Sequence, residues 1–403
     1  MKIAWYSNSP AAPVTGYGSQ SAMLLPRLQA DGHEIVVLAN WGQQIGMGEW
    51  HGIPIMPQGL EPYSLDVVDQ QVRMIDPDVV ITLYDVWVLT GKKIWEDRLV
   101  ASWTPVDHYP VPPKVAEWCQ TRKTIAMSQF GKRALADLGI DSTYIPHGIE
   151  NVFQPTPGDI RTRLNVPDDA FLVMINAANI GNAPIPRKAW DVNIQAMASF
   201  ARDHENVYLY IHSDVRRPGG VPLDGLIEFW GMPRERVRVP EQTVYRMGAV
   251  DQKELAELYT TANVLLAVSH GEGFGVPTVE AMLCETPAIV SDFSAQPELV
   301  GDTGWKVSGQ LFYDQGQHSA WIMPYVFSIR AALEEAYKEH GTTAASARRR
   351  QAREHALQYD ADHVYDLHWK PYIELLARSA KNPRKKHSPP HPVGNRASRR
   401  AKR

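Results

Sequence analysis

Residues 269–282 read SHGEGFGVPTVEAM, with Glu272 and Glu280 eight positions apart on either side of a Gly-Phe-Gly turn and Pro277 just ahead of an apolar run. The preceding ANVLLAV (262–268) has the composition of a buried strand, and TVEAMLC that of a short helix that Pro277 suits as first residue. A strand, a glycine-relieved turn and a helix N-terminus leave backbone N–H groups unpaired and aimed outward, backed by the positive end of the helix dipole. Such a place suits phosphate. Glycine keeps side chains out of the ligand's path. A lone G-x-G fits equally well an ordinary strand-to-helix turn with two solvated glutamates, so the choice falls to its neighbours.

PRKAWD (186–191) follows the first strand-like run of the second half and sets Arg187 and Lys188 in a loop entering a helix. A guanidinium beside an ammonium can neutralise two phosphate groups. A dibasic pair is more often a solvated face, but this one falls at the same sheet end as Gly273 and Gly275, and a single converging phosphate site accounts for both features. SNSPAAPVTGYGSQSA (7–22) reads as a long loop after the first strand, with Gly16 and Gly18 ahead of a helix. Glycines this close suggest backbone approaching a ligand, although without a third glycine they are no dinucleotide fingerprint. Asp107 and His108, in WTPVDHYPVPP, lie at another strand end and read either as site residues or as a turn cap and a satisfied histidine. His147 reads as a loop residue packed near a domain junction rather than as a base, and Trp369 and Tyr372 as anchors holding the last helix on the first domain.

These side chains need a scaffold that gathers distant strand ends. The apolar runs KIAWYSN, EIVVLAN, DVVITLYD, LVASWTPVD, KTIAMSQ and STYIPHG alternate with helical or loop segments. After the connector NVFQPTPGDIRTRLNVPDD a second series begins, FLVMINAAN, NVYLYIHSD, VRVPEQTV, NVLLAVSH, PAIVSD and GWKV. Repeated strand-helix units mean parallel strands joined by right-handed crossovers, hence an α/β protein with two doubly wound, Rossmann-like domains facing across a cleft. The expected limits are 1–155 for the first domain, 156–325 for the second, 326–380 for C-terminal helices packing back across both, and 381–403 for a basic tail. Ligands in such folds bind beyond the carboxyl ends of strands. A formal net charge of -4 over 403 residues excludes a global polyanion-binding field. The tail differs: nine Lys/Arg and no acid among Pro, Gly, Ser and Asn predict disorder, and either a solubilising role or a handle for nucleic acid, anionic lipid or an acidic partner. Cys119 and Cys284, each in an apolar helical context, argue against a disulfide framework or a zinc site. With no apolar run of about 18 residues and no signal-like N-terminus, a cytoplasmic protein without a transmembrane segment is expected.

Taken together, EGFGVPTVEAM with its E-x7-E spacing and the following TPAIVSDFSAQPELVG resemble the donor-site signature of the retaining glycosyltransferases of family 4, which have the GT-B fold. IPHGIENVF (145–153), AMSQFGKRALADLG and YRMGAVDQKELAELYTTANV are similar to other stretches of that family. The resemblance covers residues 120–305 well and residues 1–40 loosely. It implies a nucleotide-sugar donor, no further cofactor, no bound metal and transfer with retention to an acceptor that could be a glycan, lipid, protein or modified nucleic acid. It also implies that Arg187 and Lys188 hold the donor diphosphate, Glu280 the ribose hydroxyls and Glu272 the sugar hydroxyls. Gly273, Phe274, Gly275 and Val276 would complete the cradle, with Gly16 and Gly18 facing it. Three departures stand out. NAAN (176–179) replaces the family's Gly-Arg, Tyr84 and Asp85 stand where many members carry a histidine, leaving Asp107 and His108 as substitutes, and Glu285 occupies a position where glycine is usual. The expected function is therefore retaining glycosyl transfer, with a catalytically inactive sugar-nucleotide-binding or nucleic-acid-associated scaffold as the alternative.

Overall fold

Strands that are apolar on both faces are satisfied only in the middle of a layered sheet. The first such strand is buried from Ile3 to Asn8. The structure, a computed structural model, describes residues 1–11, 15–181 and 185–381. All but the first residue of the basic tail, and part of the 7–22 segment, lie outside the described residues.

The first sheet is built from β1 (Lys2–Asn8), β2 (Glu34–Trp41), β3 (Gly48–Trp50), β4 (Ile53–Met56), β5 (Val79–Leu83), β6 (Val100–Thr104), β7 (Lys123–Ala126) and β8 (Ser142–Tyr144). Their spatial order is β3-β4-β2-β1-β5-β6-β7-β8, and every pairing is parallel except β3 with β4. The second sheet comprises β9 (Phe171–Asn176), β10 (Val207–His212), β11 (Val237–Arg238), β12 (Val264–Leu266), β13 (Ala288–Ser291) and β14 (Trp305–Val307), all parallel in the order β11-β10-β9-β12-β13-β14. Each order reverses once, between β1 and β5 in the first sheet and between β9 and β12 in the second. At such a reversal the crossovers leave to opposite faces and open a crevice beyond the strand ends.

Three apolar clusters hold these layers. One covers the outer face of the first sheet, with Trp95 and Trp118, and another the outer face of the second, with Trp190 and Phe200. The third is continuous across the junction, running from Trp5 and Trp103 through Phe153, Tyr259 and Phe274 to Leu299 and Trp369. The C-terminal helices explain the continuity. Val326–Glu339 lays Ile329 and Leu333 on the second sheet, Thr343–Ala356 buries Ala352 and Ala356, and the last helix, Lys370–Ala380, returns to the first sheet. There the Trp369 ring meets Trp103 edge-on at 4.8 Å and Trp5 at 6.2 Å, and Tyr372 is buried beside it. Cys119 and Cys284 are free and buried.

Two elements differ from the sequence reading, and one departure from the family pattern finds its reason. The helix expected after Gly18 begins at Gly16, capped by the Thr15 side chain, which accepts from the Gly18 amide at 3.0 Å. Both glycines therefore lie in a helical first turn rather than in a loop, because the Thr15 side chain supplies the N-cap ahead of them. A hairpin, β15 (Gly309–Asp314) and β16 (Ser319–Pro324), follows the second sheet and was not foreseen. Glu285 has φ 62, just past the helix Val276–Leu283, where the Thr286 amide bonds Ala281 at 2.8 Å. That left-handed helix end is the reason a glycine suits the position.

Candidate functional site

The loops after β9 and β12 leave the reversal point of the second sheet side by side, and their side chains interlock. Glu272, buried, receives Arg187 Nη1 on Oε2 at 2.5 Å and Lys188 Nζ on Oε1 at 2.5 Å, with Ser269 Oγ donating to Oε1 at 2.7 Å. Ser294 fixes the loop by accepting the Glu272 amide at 2.9 Å, and Arg187 also donates to the Gly271 carbonyl at 2.9 Å. Burial alone would raise the Glu272 pKa; the two cations and Ser269 reverse this and hold it down to about 2. Burial lowers the pKa of Lys188, and Glu272 restores only part of it. The three residues read from distant segments are thus one cluster. Asn193, on the helix Trp190–Asp203, ties the loops together by donating to Val268 O at 2.9 Å.

Above this cluster none of the described residues accepts from the amides of Gly273, Phe274, Gly275 and Val276, which open the helix Val276–Leu283. Gly275 is its N-cap at φ 121, a conformation open only to glycine at low cost. Gly273 has a different reason from the one expected. A Cβ there would stand 2.5 Å from Pro105 Cβ, and one on Gly271 would stand 2.2 Å from the Asp107 carbonyl, so both glycines let the two domains touch. Phe274 is no ligand wall in this arrangement: it is buried between His147 (4.9 Å) and Tyr359 (5.4 Å). His147, packed also on Trp103 at 4.5 Å, is held neutral by burial, its pKa lowered to about 3. Glu280 makes no direct bond to the cluster. Its Oε2 accepts from Tyr259 at 2.9 Å, and Tyr259 accepts from Asn176 at 2.6 Å. Asn176 in turn lines a pocket with Lys188, Glu272, Gly275 and Thr278. Burial pushes the Glu280 carboxyl up to about 7, opposed only by Tyr259.

The first domain supplies the facing wall. Asp107 Oδ1 lies 2.6 Å from His108 Nδ1, while His108 Nε2 lies 3.2 Å from Asp314 Oδ2 on the hairpin and its ring stacks on Trp321 at 4.4 Å. The hairpin also accepts the Tyr109 amide on the Ala320 carbonyl at 3.1 Å. His108 is therefore a clasp between the domains, buried and doubly bonded, with Asp107 the more accessible member of the pair. Burial would raise the Asp107 pKa, but His108 and Arg187 lower it. Next to it, Asp85 accepts from Tyr17 at 3.1 Å; burial and the charge of Asp107 push its pKa up to about 6, against the pull of Arg187. Gly16 has open space around it and makes no approach to the cluster, whereas its neighbour Tyr17 does reach the cleft. Ser269, Tyr259 and Tyr17 were missed as polar residues inside helical or strand-end patterns; Ser269 alone carried a signal, three residues before Glu272. Among the described residues no group of three or more His, Cys, Asp or Glu is placed to hold a metal ion, and no helix is long and apolar enough to cross a membrane.

Residues 175–315, which hold the whole second-domain wall, match the family model described as glycosyl transferases group 1. The chain is 26% identical over 245 residues to a D-inositol 3-phosphate glycosyltransferase of Kineococcus radiotolerans, a match spanning 57% of this chain and 53% of that protein. It is 30% identical over 161 residues to an MMP alpha-(1->4)-mannosyltransferase of Mycolicibacterium hassiacum, spanning 40% and 33%. The chain thus matches about half or less of the length of these relatives. In three dimensions it resembles sucrose-phosphate synthase of Thermosynechococcus elongatus with a TM-score of 0.74 at 18% identity, over 94% of this chain and all of that one. It also resembles Anabaena HepE in complex with UDP-glucose, with a TM-score of 0.64 at 16% identity, again over 94% and 100%. The fold is the two-domain α/β arrangement of GT-B glycosyltransferases.

Proposed function

We propose that the protein is a retaining glycosyltransferase that moves a sugar from a nucleotide-sugar donor to a hydroxyl acceptor across the cleft between its domains. The observation that carries this reading is the Arg187–Glu272–Lys188 cluster beneath amides from which none of the described residues accepts, within the stretch that matches group 1 glycosyl transferases. The donor exchanges into that cluster. Arg187, Lys188 and the amides of Gly273, Phe274 and Gly275 turn to the diphosphate, and Glu272 accepts from sugar hydroxyls. Glu280, through the edge it shares with Tyr259 and Asn176, takes the ribose hydroxyls. The bond from the anomeric carbon to the phosphate oxygen breaks with its electron pair leaving on the diphosphate. The acceptor oxygen bonds that carbon from the same face, and its proton goes to the departing phosphate. Preorganised cations and amides around the growing negative charge lower the barrier most. Retention and metal independence follow from the resemblance over residues 120–305, and the UDP-glucose complex of HepE supports a uridine diphosphate donor.

A screen of nucleotide sugars for thermal stabilisation tests the reading, since a ligand bound only by the folded state at about 100 times its Kd adds about 2.7 kcal/mol. One donor is expected to raise Tm, and Lys188→Ala is expected to lower its hydrolysis by about 100-fold or more. If no nucleotide sugar shifts Tm, or hydrolysis is the same background in both proteins, the reading fails.

A further inference from the structure

The wall of the first domain has a chemistry of its own that donor binding does not use. Tyr17 and Tyr84 stand with ring centroids 5.3 Å apart and planes at 51°, and Tyr84 and Tyr63 with centroids 5.7 Å apart and planes at 58°, a run of half-buried, mutually tilted aromatic rings beside Asp85. It lies beyond the ends of β1 and β5, where the order of the first sheet reverses and an open α/β sheet takes its ligand. The charges around it are one-sided. Asp107 adds a second carboxylate next to Asp85, and the cation that acts on Asp85 and Tyr17 is Arg187 of the other domain, already engaged by Glu272. Tyr84 is acted on by Asp85 and Tyr63.

We infer that this wall is the acceptor site and that its acceptor is an uncharged polyhydroxyl compound, a sugar or polyol bearing no phosphate or carboxylate, laid on the tyrosine faces with a hydroxyl donated to Asp85. The inference rests on the glycosyl-transfer reading above. Aromatic faces pack against the C–H face of a sugar ring, and carboxylates accept from its hydroxyls. An anionic acceptor would meet Asp85 and Asp107, and the first-domain ring nearest them, His108, is buried and already held between Asp107 and Asp314, so such an acceptor is rejected by repulsion rather than by shape. In the transfer step the acceptor hydroxyl becomes the new glycosidic oxygen and its proton leaves with the nucleoside diphosphate, so Asp85 binds the acceptor without being consumed.

The experiment uses the full chain with its donor and pairs of acceptors that differ by one phosphate: inositol with inositol 3-phosphate, fructose with fructose 6-phosphate, glucose with glucose 6-phosphate. Products are read by mass spectrometry. Transfer to the neutral member of the productive pair is expected to be faster by about ten-fold or more; Asp85→Asn is expected to shrink that preference by about three-fold or more, and Tyr17→Phe, which keeps the charge, to preserve it. Melting curves of both variants separate selectivity from misfolding. A phosphorylated member used equally well or better, a preference unchanged in Asp85→Asn, or donor hydrolysis without transfer to any neutral member overturns the inference while leaving glycosyl transfer standing. Absence of both donor stabilisation and donor hydrolysis sinks the transfer reading, and this one with it.

Discussion

Glu272 and Glu280 are both buried, yet their surroundings drive their ionisation apart. Two cations and a serine hydroxyl overcome the burial of Glu272 and hold its pKa at about 2, whereas Glu280 has only Tyr259 to oppose burial and is pushed up to about 7. A carboxyl whose folded pKa lies below its unfolded value contributes stability that is present above the unfolded pKa and lost as pH falls through the folded one; a raised pKa reverses the sign. Glu272 therefore stabilises at neutral pH and loses that effect between about 4.5 and about 2. Glu280 costs stability as pH rises from about 4.5 through about 7. Glu272→Gln is expected to melt below the wild type at about pH 6, with the gap narrowing toward pH 3. Glu280→Gln is expected to melt above it at about pH 8, with the gap closing toward pH 4.5. Melting temperatures across this range check both, and parallel pH profiles for the two variants would refute the assignment.

At the scale of elements, the turn before the helix Val276–Leu283 serves two partners at once. Its amides face the cleft, and its glycines admit the β6 loop of the other domain, with Pro105 filling the place of a Gly273 side chain. The hairpin β15–β16 completes the clasp through Asp314 and Trp321 around His108. Gly273→Ala is expected to force these segments apart, because the nearest atoms belong to a proline ring and its backbone and cannot swing away. The predicted result is an overpacking cost of about 1–3 kcal/mol concentrated at the domain contact. Small-angle scattering should show a larger radius of gyration, and donor turnover should fall while circular dichroism stays unchanged. A variant with wild-type dimensions would show that the contact does not govern closure.

At the scale of the whole molecule, the last helix returning to the first sheet makes one apolar cluster out of two domains. Trp369, fully buried against Trp5 and Trp103, is the largest single anchor of that return. Trp369→Ala is expected to cost about 3–5 kcal/mol, read as a lower denaturation midpoint, because the loss combines transfer energy with an unfilled cavity. If the first domain did not depend on this helix, the change would fall near the cost of a surface substitution, within about 0.5 kcal/mol.

The central strands of both sheets were legible because a strand buried on both faces must be a nearly unbroken apolar run, and KIAWYSN and FLVMIN are such runs. Arg187, Lys188 and Glu272 were legible for the same reason, since a loop that follows a central strand is carried to the same sheet end. The hairpin was not: Leu311 and Tyr313 are exposed, so its strands carry no apolar period that sets them apart from a loop. The sequence by itself thus determined two α/β layers and the chemical types at their strand ends. Only the tertiary structure decided which ends meet, that Gly273 makes room for Pro105, that Gly16 opens a helix capped by Thr15, and that Tyr17 and Asp85 form the facing wall. Local side-chain pattern specifies which face of an element is buried, whereas the meeting of two domains is set by contacts between residues far apart in the chain.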